Sequence, residues 1–198
     1  PQKPDGRLNY WGYAKAQLMA PKESYCAGKE APVRELKELI KALHQEKMEL
    51  VAELFFTGEE NPGYALEAVR RWALDFRADG IRLSGYPPLQ LIAADPYLSG
   101  VKLFADSWEG MPHGSCRHLA EYNDGFMMDM RRFLKGDEGQ LDGAAFHIRR
   151  NPEKTAVINY MANNNGFTMM DIVSYNEKHN EDNGENNRDG TDKNQSWN

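Results

Sequence analysis

Val157 to Asn198 runs VINYMANNNGFTMMDIVSYNEKHNEDNGENNRDGTDKNQSWN, and its two parts point in opposite directions. Ala156-Val157-Ile158 is a short apolar run of the kind that forms a buried parallel strand. Asn163, Asn164, Asn165 and Gly166 follow, residue types that favour turns and strand exits. Phe167 to Tyr175 is mildly amphipathic, and from Glu177 onward the chain is almost wholly polar. Composition alone makes that tail a disordered linker, because it has little apolar surface to offset the entropy of ordering it. Its wording is nevertheless varied and motif-like, which argues for an ordered segment.

Upstream, helix and strand patterns alternate. Pro32 to Lys47 reads as an amphipathic helix, with Pro32 in the first turn and Val33, Leu36, Leu39, Ile40 and Leu43 forming one stripe. Glu49 to Phe56 reads as an apolar strand broken by Glu53. Tyr64 to Arg77 repeats the helix pattern, Ala78-Asp79-Gly80 turns the chain, and Ile81 to Leu83 starts a second strand. Pro87 and Pro88 make the exit from that strand sharp. Val101 to Ala105 is a third strand, and Phe126 to Leu134 a further helix with methionines as core filler. Short helix-to-strand steps are the repeating unit of a parallel α/β fold.

The bulk properties exclude several classes. A chain of 198 residues with 40% hydrophobic content and net charge −6 suits one soluble domain with a real core. No run approaches the roughly 18 apolar residues of a membrane span, and the acidic balance argues against nucleic acid and anionic membranes. Cys26 and Cys116 read as free thiols. His113, Cys116 and His118 match no metal-site spacing, so neither a metal nor a cofactor is expected. The chain starts at Pro1 and stops inside motif-like sequence, so it reads as part of a longer domain whose targeting is not visible.

The tail resembles the isoamylase and glycogen-debranching branch of the α-amylase superfamily. There a barrel strand delivers a His-Asp pair just before Gly-Phe-Thr, and Asp-Leu-Val-Ser-Tyr-Asn-x-Lys-His-Asn-x-x-Asn-Gly-Glu-Asn-Asn-x-Asp-Gly follows. Here the framework stands, but the pair reads Asn164-Asn165. Asn9-Tyr10-Trp11-Gly12-Tyr13, followed by Ala20-Pro21, is similar to the family's wording around a tyrosine that stacks under the sugar being cleaved. From the residues alone, a buried aromatic plug and a sugar platform are equal readings of that cluster, since flat pyranose faces stack well on aromatic rings. Asp79-Gly80-Ile81-Arg82-Leu83-Ser84 resembles Asp-Gly-Phe-Arg-Phe-Asp, whose last aspartate is the family's nucleophile. Asp106-Ser107-Trp108-Glu109 looks like Glu-Pro-Trp-Asp, whose glutamate is the general acid. Gly58, at the end of the strand through Glu53, takes the place of a sugar-binding histidine. Glu121-Tyr122-Asn123 and Arg131-Arg132-Phe133 are similar to two further family motifs.

The resemblance therefore implies a partial (β/α)8 barrel, with residues 1–198 supplying the central strands and lacking the first two and the last. It makes Ser84, Asp106 and Asn165 the catalytic positions, all substituted, and Trp11, Tyr13, Arg82, Trp108 and Asn164 the substrate-binding ones. Retaining glycoside hydrolysis needs a carboxylate nucleophile and a carboxylic acid roughly 5–5.5 Å apart. A serine without an adjacent base is a weak nucleophile and brings no charge to the oxocarbenium-like transition state. Asp106 is one methylene short of glutamate. With its usual partner gone, Arg82 is expected to pair with Asp106.

Three functions follow. The leading one is a degenerate debranching domain that holds branched α-glucan without cleaving it, with an active homologous subunit as a possible partner. The second is an active hydrolase with a changed residue set, for which Asp95 and Glu109 are the nearest carboxylates in sequence. The third is an interaction module that has lost carbohydrate. Cytoplasmic residence is expected by analogy with glycogen metabolism.

Overall fold

The computed structural model describes residues 6, 12–28, 31–108 and 118–198. Five strands, β1 (Val51–Phe56), β2 (Gly80–Gly85), β3 (Lys102–Ala105), β4 (Leu119–Tyr122) and β5 (Ala156–Ile158), lie in one sheet in chain order. The first three neighbouring pairs are parallel, with Glu53 opposite Arg82, Arg82 opposite Phe104, and Phe104 opposite Ala120. Helices α1 (Pro32–Gln45), α2 (Pro62–Arg70), α3 (Leu89–Ala93), α4 (Asp124–Lys135) and α5 (Leu141–Arg149) connect or follow the strands. The architecture is α/β, a five-strand section of a (β/α)8-type barrel. No helix among the described residues is long and apolar enough to cross a membrane.

Two compact units divide the chain, Pro1–Glu121 with Lys154–Ala156, and Tyr122–Glu153 with Val157–Asn198. In the first, alternate strand residues make the core. Leu54, Phe56, Ile81, Leu83, Leu103 and Leu119 pack with Ala65, Ala68, Val69 and Ile92 from the helical layer. Alternation along a strand therefore places Glu53, Phe55, Arg82, Ser84 and Phe104 on the opposite face. Helix α2 starts where Asn61 Oδ1 accepts the Gly63 and Tyr64 amides and Pro62 occupies the first turn. Its continuation, Arg71–Asp75, widens into a π-type turn before the chain reaches β2.

Asp79 joins the entry to β1 with the entry to β2. Its carboxylate accepts the Leu50 amide at 2.8 Å and bonds His44 Nε2 at 2.9 Å. Burial pushes this carboxyl up, but those bonds outweigh it and hold Asp79 below the ordinary aspartate range.

The second unit shows how a polar tail is ordered. Main-chain groups that a sheet or helix would satisfy are met here by side-chain amides. Asn194, 4% exposed, accepts the Phe167 amide at 2.8 Å and donates to the Thr191 carbonyl at 2.8 Å. Asn187 bonds the amide of Asn180 and the carbonyl of Lys178, while Lys178 reaches the carbonyls of Asp189 and Gly190 and the Asp192 carboxylate. At the centre lies Arg131 of α4, with no exposed surface. Its guanidinium donates to the carbonyls of Met161, Phe167 and Asn194. The Arg-Arg-Phe motif thus has a structural task, fastening the tail to α4.

Candidate functional site

The carboxyl ends of β1, β2 and β3 carry the first group of expected site residues. Strand β1 leaves through Thr57 and Gly58, and Glu60 closes that exit by accepting the Thr57 amide at 3.1 Å, the Thr57 hydroxyl at 2.8 Å and the Gly58 amide at 3.0 Å. Burial raises the Glu60 carboxyl, but these hydrogen bonds win and keep it below its ordinary range. Strand β2 ends in Gly85, which has φ +77° and whose missing Cβ would lie 2.1 Å from the Phe56 carbonyl oxygen. Glycine is required there by both the left-handed backbone and the close approach. That approach lets the Tyr86 amide donate to the same oxygen at 2.8 Å.

Arg82 and Asp106 form the expected pair, with Nη2 donating to Oδ1 at 2.6 Å. Arg82 is mostly covered and the Asp106 carboxylate is 73% exposed, so the pair is heavily screened and worth at most about 1 kcal/mol. Ser84 is 9% exposed and points its hydroxyl at the Leu54 carbonyl, 3.4 Å away. With its proton turned to the backbone, the serine is not activated. Tyr13, 41% exposed, leans against Phe55 with ring centroids 5.5 Å apart and donates its hydroxyl to Glu53 Oε2 at 3.3 Å. Glu53 in turn lies opposite Arg82 in the sheet register. Tyr13, Arg82, Ser84 and Asp106 therefore belong to one unit and to the sheet face away from the core.

Other expectations fare differently. Trp108 does not offer a ring to sugar: it is 3% exposed, sits in the core, and donates its indole N–H to the Ala120 carbonyl at 2.9 Å. An aromatic ring beside an expected site residue has equal reason to pack as to stack, and here packing prevails. Asp95 is equally remote from the chemistry. It lies between α3 and β3, at the amino end of the sheet, where its buried carboxylate takes Arg70 Nε at 2.9 Å and the Tyr97 amide at 2.8 Å. It is a structural acid and cannot replace a nucleophile at the other end. Asn164 and Asn165 are exposed in the second unit, on the turn after β5. The Asn165 amide donates to Asn163 Oδ1 at 3.0 Å, and its carbonyl accepts the Thr191 amide at 2.8 Å. Trp11, Glu109, His113 and Cys116 lie outside the described residues. Among the described residues Cys26 is a free thiol, and no group of three histidine, cysteine or acidic side chains is placed to hold a metal.

Glu53 and Tyr86 lie beside the expected residues and were not among them. The signal for Glu53 was present, a lone charge inside an apolar strand. For Tyr86, 78% exposed at the end of β2, the signal was an aromatic ring between a strand-ending glycine and two prolines.

No family model matches the chain. It is similar to a glycogen debranching enzyme of Serratia proteamaculans, 29% identical across 96% of this chain and 40% of the relative. It is also similar to the chloroplastic isoamylase 3 of Oryza sativa subsp. japonica, 27% identical across 100% of this chain and 35% of the relative. The chain thus spans about two-fifths of the length of these curated relatives. The stretch aligned with the Serratia protein runs to 261 residues against 198 in the whole chain, so the relative carries segments that this chain does not. Among solved structures, a pullulanase from Anoxybacillus sp. LM18-11 complexed with maltotetraose matches with TM-score 0.57 and 16% identity, over 76% of this chain and 33% of the pullulanase. That likeness establishes the fold.

Proposed function

We propose that this chain, an isoamylase-like member of the α-amylase superfamily, binds branched α-glucan at the carboxyl ends of its strands and does not cleave it. The observation that carries the reading is the state of β2 and β3. Where hydrolysis needs a charged nucleophile, the neutral Ser84 hydroxyl donates a hydrogen bond to the Leu54 carbonyl, and where it needs an acid, Asp106 is in water and paired with Arg82. Losing one preorganised electrostatic partner costs about 2.7–4 kcal/mol of transition-state stabilisation, and the family resemblance makes Asn165 a second position where an amide replaces a carboxylate. Binding asks for less. Tyr13 supplies an exposed ring, and Glu53, Arg82 and Asp106 supply acceptors and donors for sugar hydroxyls. An active homologous subunit is the natural partner for such a domain, since it would perform the cleavage on glucan held here.

The test pairs turnover with binding. Reducing-sugar release from glycogen and a branched limit dextrin is expected to be absent in the unmodified protein, while glycogen retards it in affinity electrophoresis. Tyr13→Ala is expected to weaken that retardation about threefold to tenfold, the range of an aromatic contact of about 0.5–1.5 kcal/mol. Joint restoration by Ser84→Asp, Asp106→Glu and Asn165→Asp is expected to give measurable turnover. Hydrolysis by the unmodified protein would refute the reading and direct attention to Glu53 as the replacement carboxylate.

A further inference from the structure

Tyr86 stands out among the exposed tyrosines. Tyr25, Tyr86 and Tyr97 are 70%, 78% and 66% exposed. The first and last have a cation against the ring, Lys22 at 4.6 Å from the Tyr25 centroid and Arg70 at 5.2 Å from that of Tyr97. Among the described residues no ring or cation lies over Tyr86. Scattered surface aromatics need no explanation by themselves, but the mounting of this one is unusual. Its amide is fastened to the Phe56 carbonyl, Gly85 before it is fixed in a left-handed turn, and Pro87 and Pro88 stiffen the chain after it. The ring is thus held out into solvent on a rigid base, and little backbone entropy remains to be lost on contact with a ligand.

The surroundings define what it faces. Tyr86 is two residues beyond Ser84, at the carboxyl end of β2. Across from it is Gly58, where an added Cβ would lie 3.2 Å from the Tyr86 Cβ and 3.6 Å from its ring. The absence of a side chain at position 58, with φ +86°, leaves the room that the tyrosine base occupies. Glycine at one strand end and an exposed aromatic at the next are therefore sterically coupled. A flat, rigid, amphipathic ring with one hydroxyl suits the apolar face of a pyranose, the hydroxyl serving the sugar's polar rim.

From this geometry we infer that Tyr86 is a sugar-stacking platform, carrying a glucosyl unit of the α-glucan at the mouth formed by the ends of β1 and β2. The inference rests on the glucan-binding reading and specifies a contact that reading does not need. Because the ring is 78% exposed and its neighbour across the strand ends is a glycine, Tyr86→Ala is expected to leave the melting temperature nearly unchanged. It should lower affinity for maltohexaose and glycogen about threefold to tenfold, whereas Tyr86→Trp holds or raises it and Tyr86→Phe, which keeps the ring and loses the hydroxyl, falls between the two. Calorimetric titration with maltohexaose and affinity electrophoresis in glycogen measure both. If the unmodified protein binds neither glucan, the glucan-binding reading falls and takes this inference with it. If it binds, and Tyr13→Ala weakens binding while Tyr86→Ala does not, the platform assignment alone is overturned.

Discussion

Arg131→Met tests whether the polar tail is held as the structure indicates. The guanidinium is fully buried and donates to three main-chain carbonyls, Met161 at 2.8 and 2.5 Å, Asn194 at 2.9 Å and Phe167 at 3.2 Å. Those carbonyls come from the exit of β5, the residue after the Asn163–Gly166 turn, and the distal tail. Methionine keeps much of the volume but makes no hydrogen bond, so three buried acceptors lose their partner. Each stranded acceptor costs about 1–3 kcal/mol. Relaxation and water entry recover part of that, leaving a net loss of about 3–5 kcal/mol, the usual result of removing one side of a buried charged network. Burial alone pushes the Arg131 guanidinium down from its ordinary value, with Tyr160 opposing, yet a guanidinium stays charged in the range where proteins are studied. Hydrogen exchange reads the effect at individual amides. Phe167, bonded to Asn194 Oδ1, Thr191, bonded to the Asn165 carbonyl, and Trp197, bonded to the Ile172 carbonyl, should exchange about a hundredfold faster or more. Amides of β1 and β2 should not change. A change below about threefold in the tail, or an equal change in β1 and β2, would refute the reasoning.

Other perturbations separate architecture from chemistry. Asp79→Asn should lower stability at neutral pH and remove part of its acid dependence. The folded-state carboxyl is depressed, so its contribution is present above the unfolded value, near about pH 4, and disappears as pH falls through the folded value. Acid melts of the two proteins should accordingly converge below about pH 3, and parallel curves across the whole range would contradict the assignment. Asp95→Ala should lower the melting temperature by leaving Arg70 only its more exposed partner Glu67 and by uncapping the Tyr97 amide, while glycogen retardation stays as in the unmodified protein. A selective loss of glucan binding there would return Asp95 to the site. Gly85→Ala should be strongly destabilising, because the new Cβ would overlap the Phe56 carbonyl oxygen.

Much of the fold was legible because strand and helix leave strong periodic marks. Ala156–Ile158 forms a strand over the predicted residues, and the expected strands of the first unit appear with their ends within two residues of the expected ones. The helix expected over Pro32–Lys47 ends at Gln45, and that over Tyr64–Arg77 starts two residues earlier, because Asn61 and Pro62 make a cap that the apolar stripe does not mark. Strand β4 and helices α3 and α5 were not read from periodicity. β4 has four residues and includes a buried glutamate, α3 has five residues behind two prolines, and α5 exposes Leu141, Phe146 and Ile148. In each, tertiary packing rather than local pattern fixes the element. The ordering of the tail followed from motif wording and not from composition, since an amide side chain that satisfies backbone in Asn194 looks the same in sequence as one that faces water. The Arg82–Asp106 pair was legible because the charge needed a partner. The burial of Trp108 was not, because its packing depends on β4, which the sequence did not announce.

The exposure of Asp106 bears on why holding sugar and cutting it have come apart in this reading. Cleavage draws its largest contribution from fixed charges in a water-excluded site, where each charge acts at low effective dielectric. Here the Asp106 carboxylate is 73% exposed and its ion pair with Arg82 is screened. The connection from β1 to α2 spans only residues 57–61, and that from β2 to α3 only residues 86–88. Loops this short carry few side chains that could fold over a sugar bound at the ends of β1 and β2. Stacking on an exposed ring is far less sensitive to solvent, because it depends on apolar contact area. It follows that restoring the three carboxyl groups should recover cleavage only weakly, well short of what the charges would yield in an enclosed pocket. Full activity in the restored protein would mean that the strand ends alone preorganise the site, and that loop cover contributes little to its chemistry.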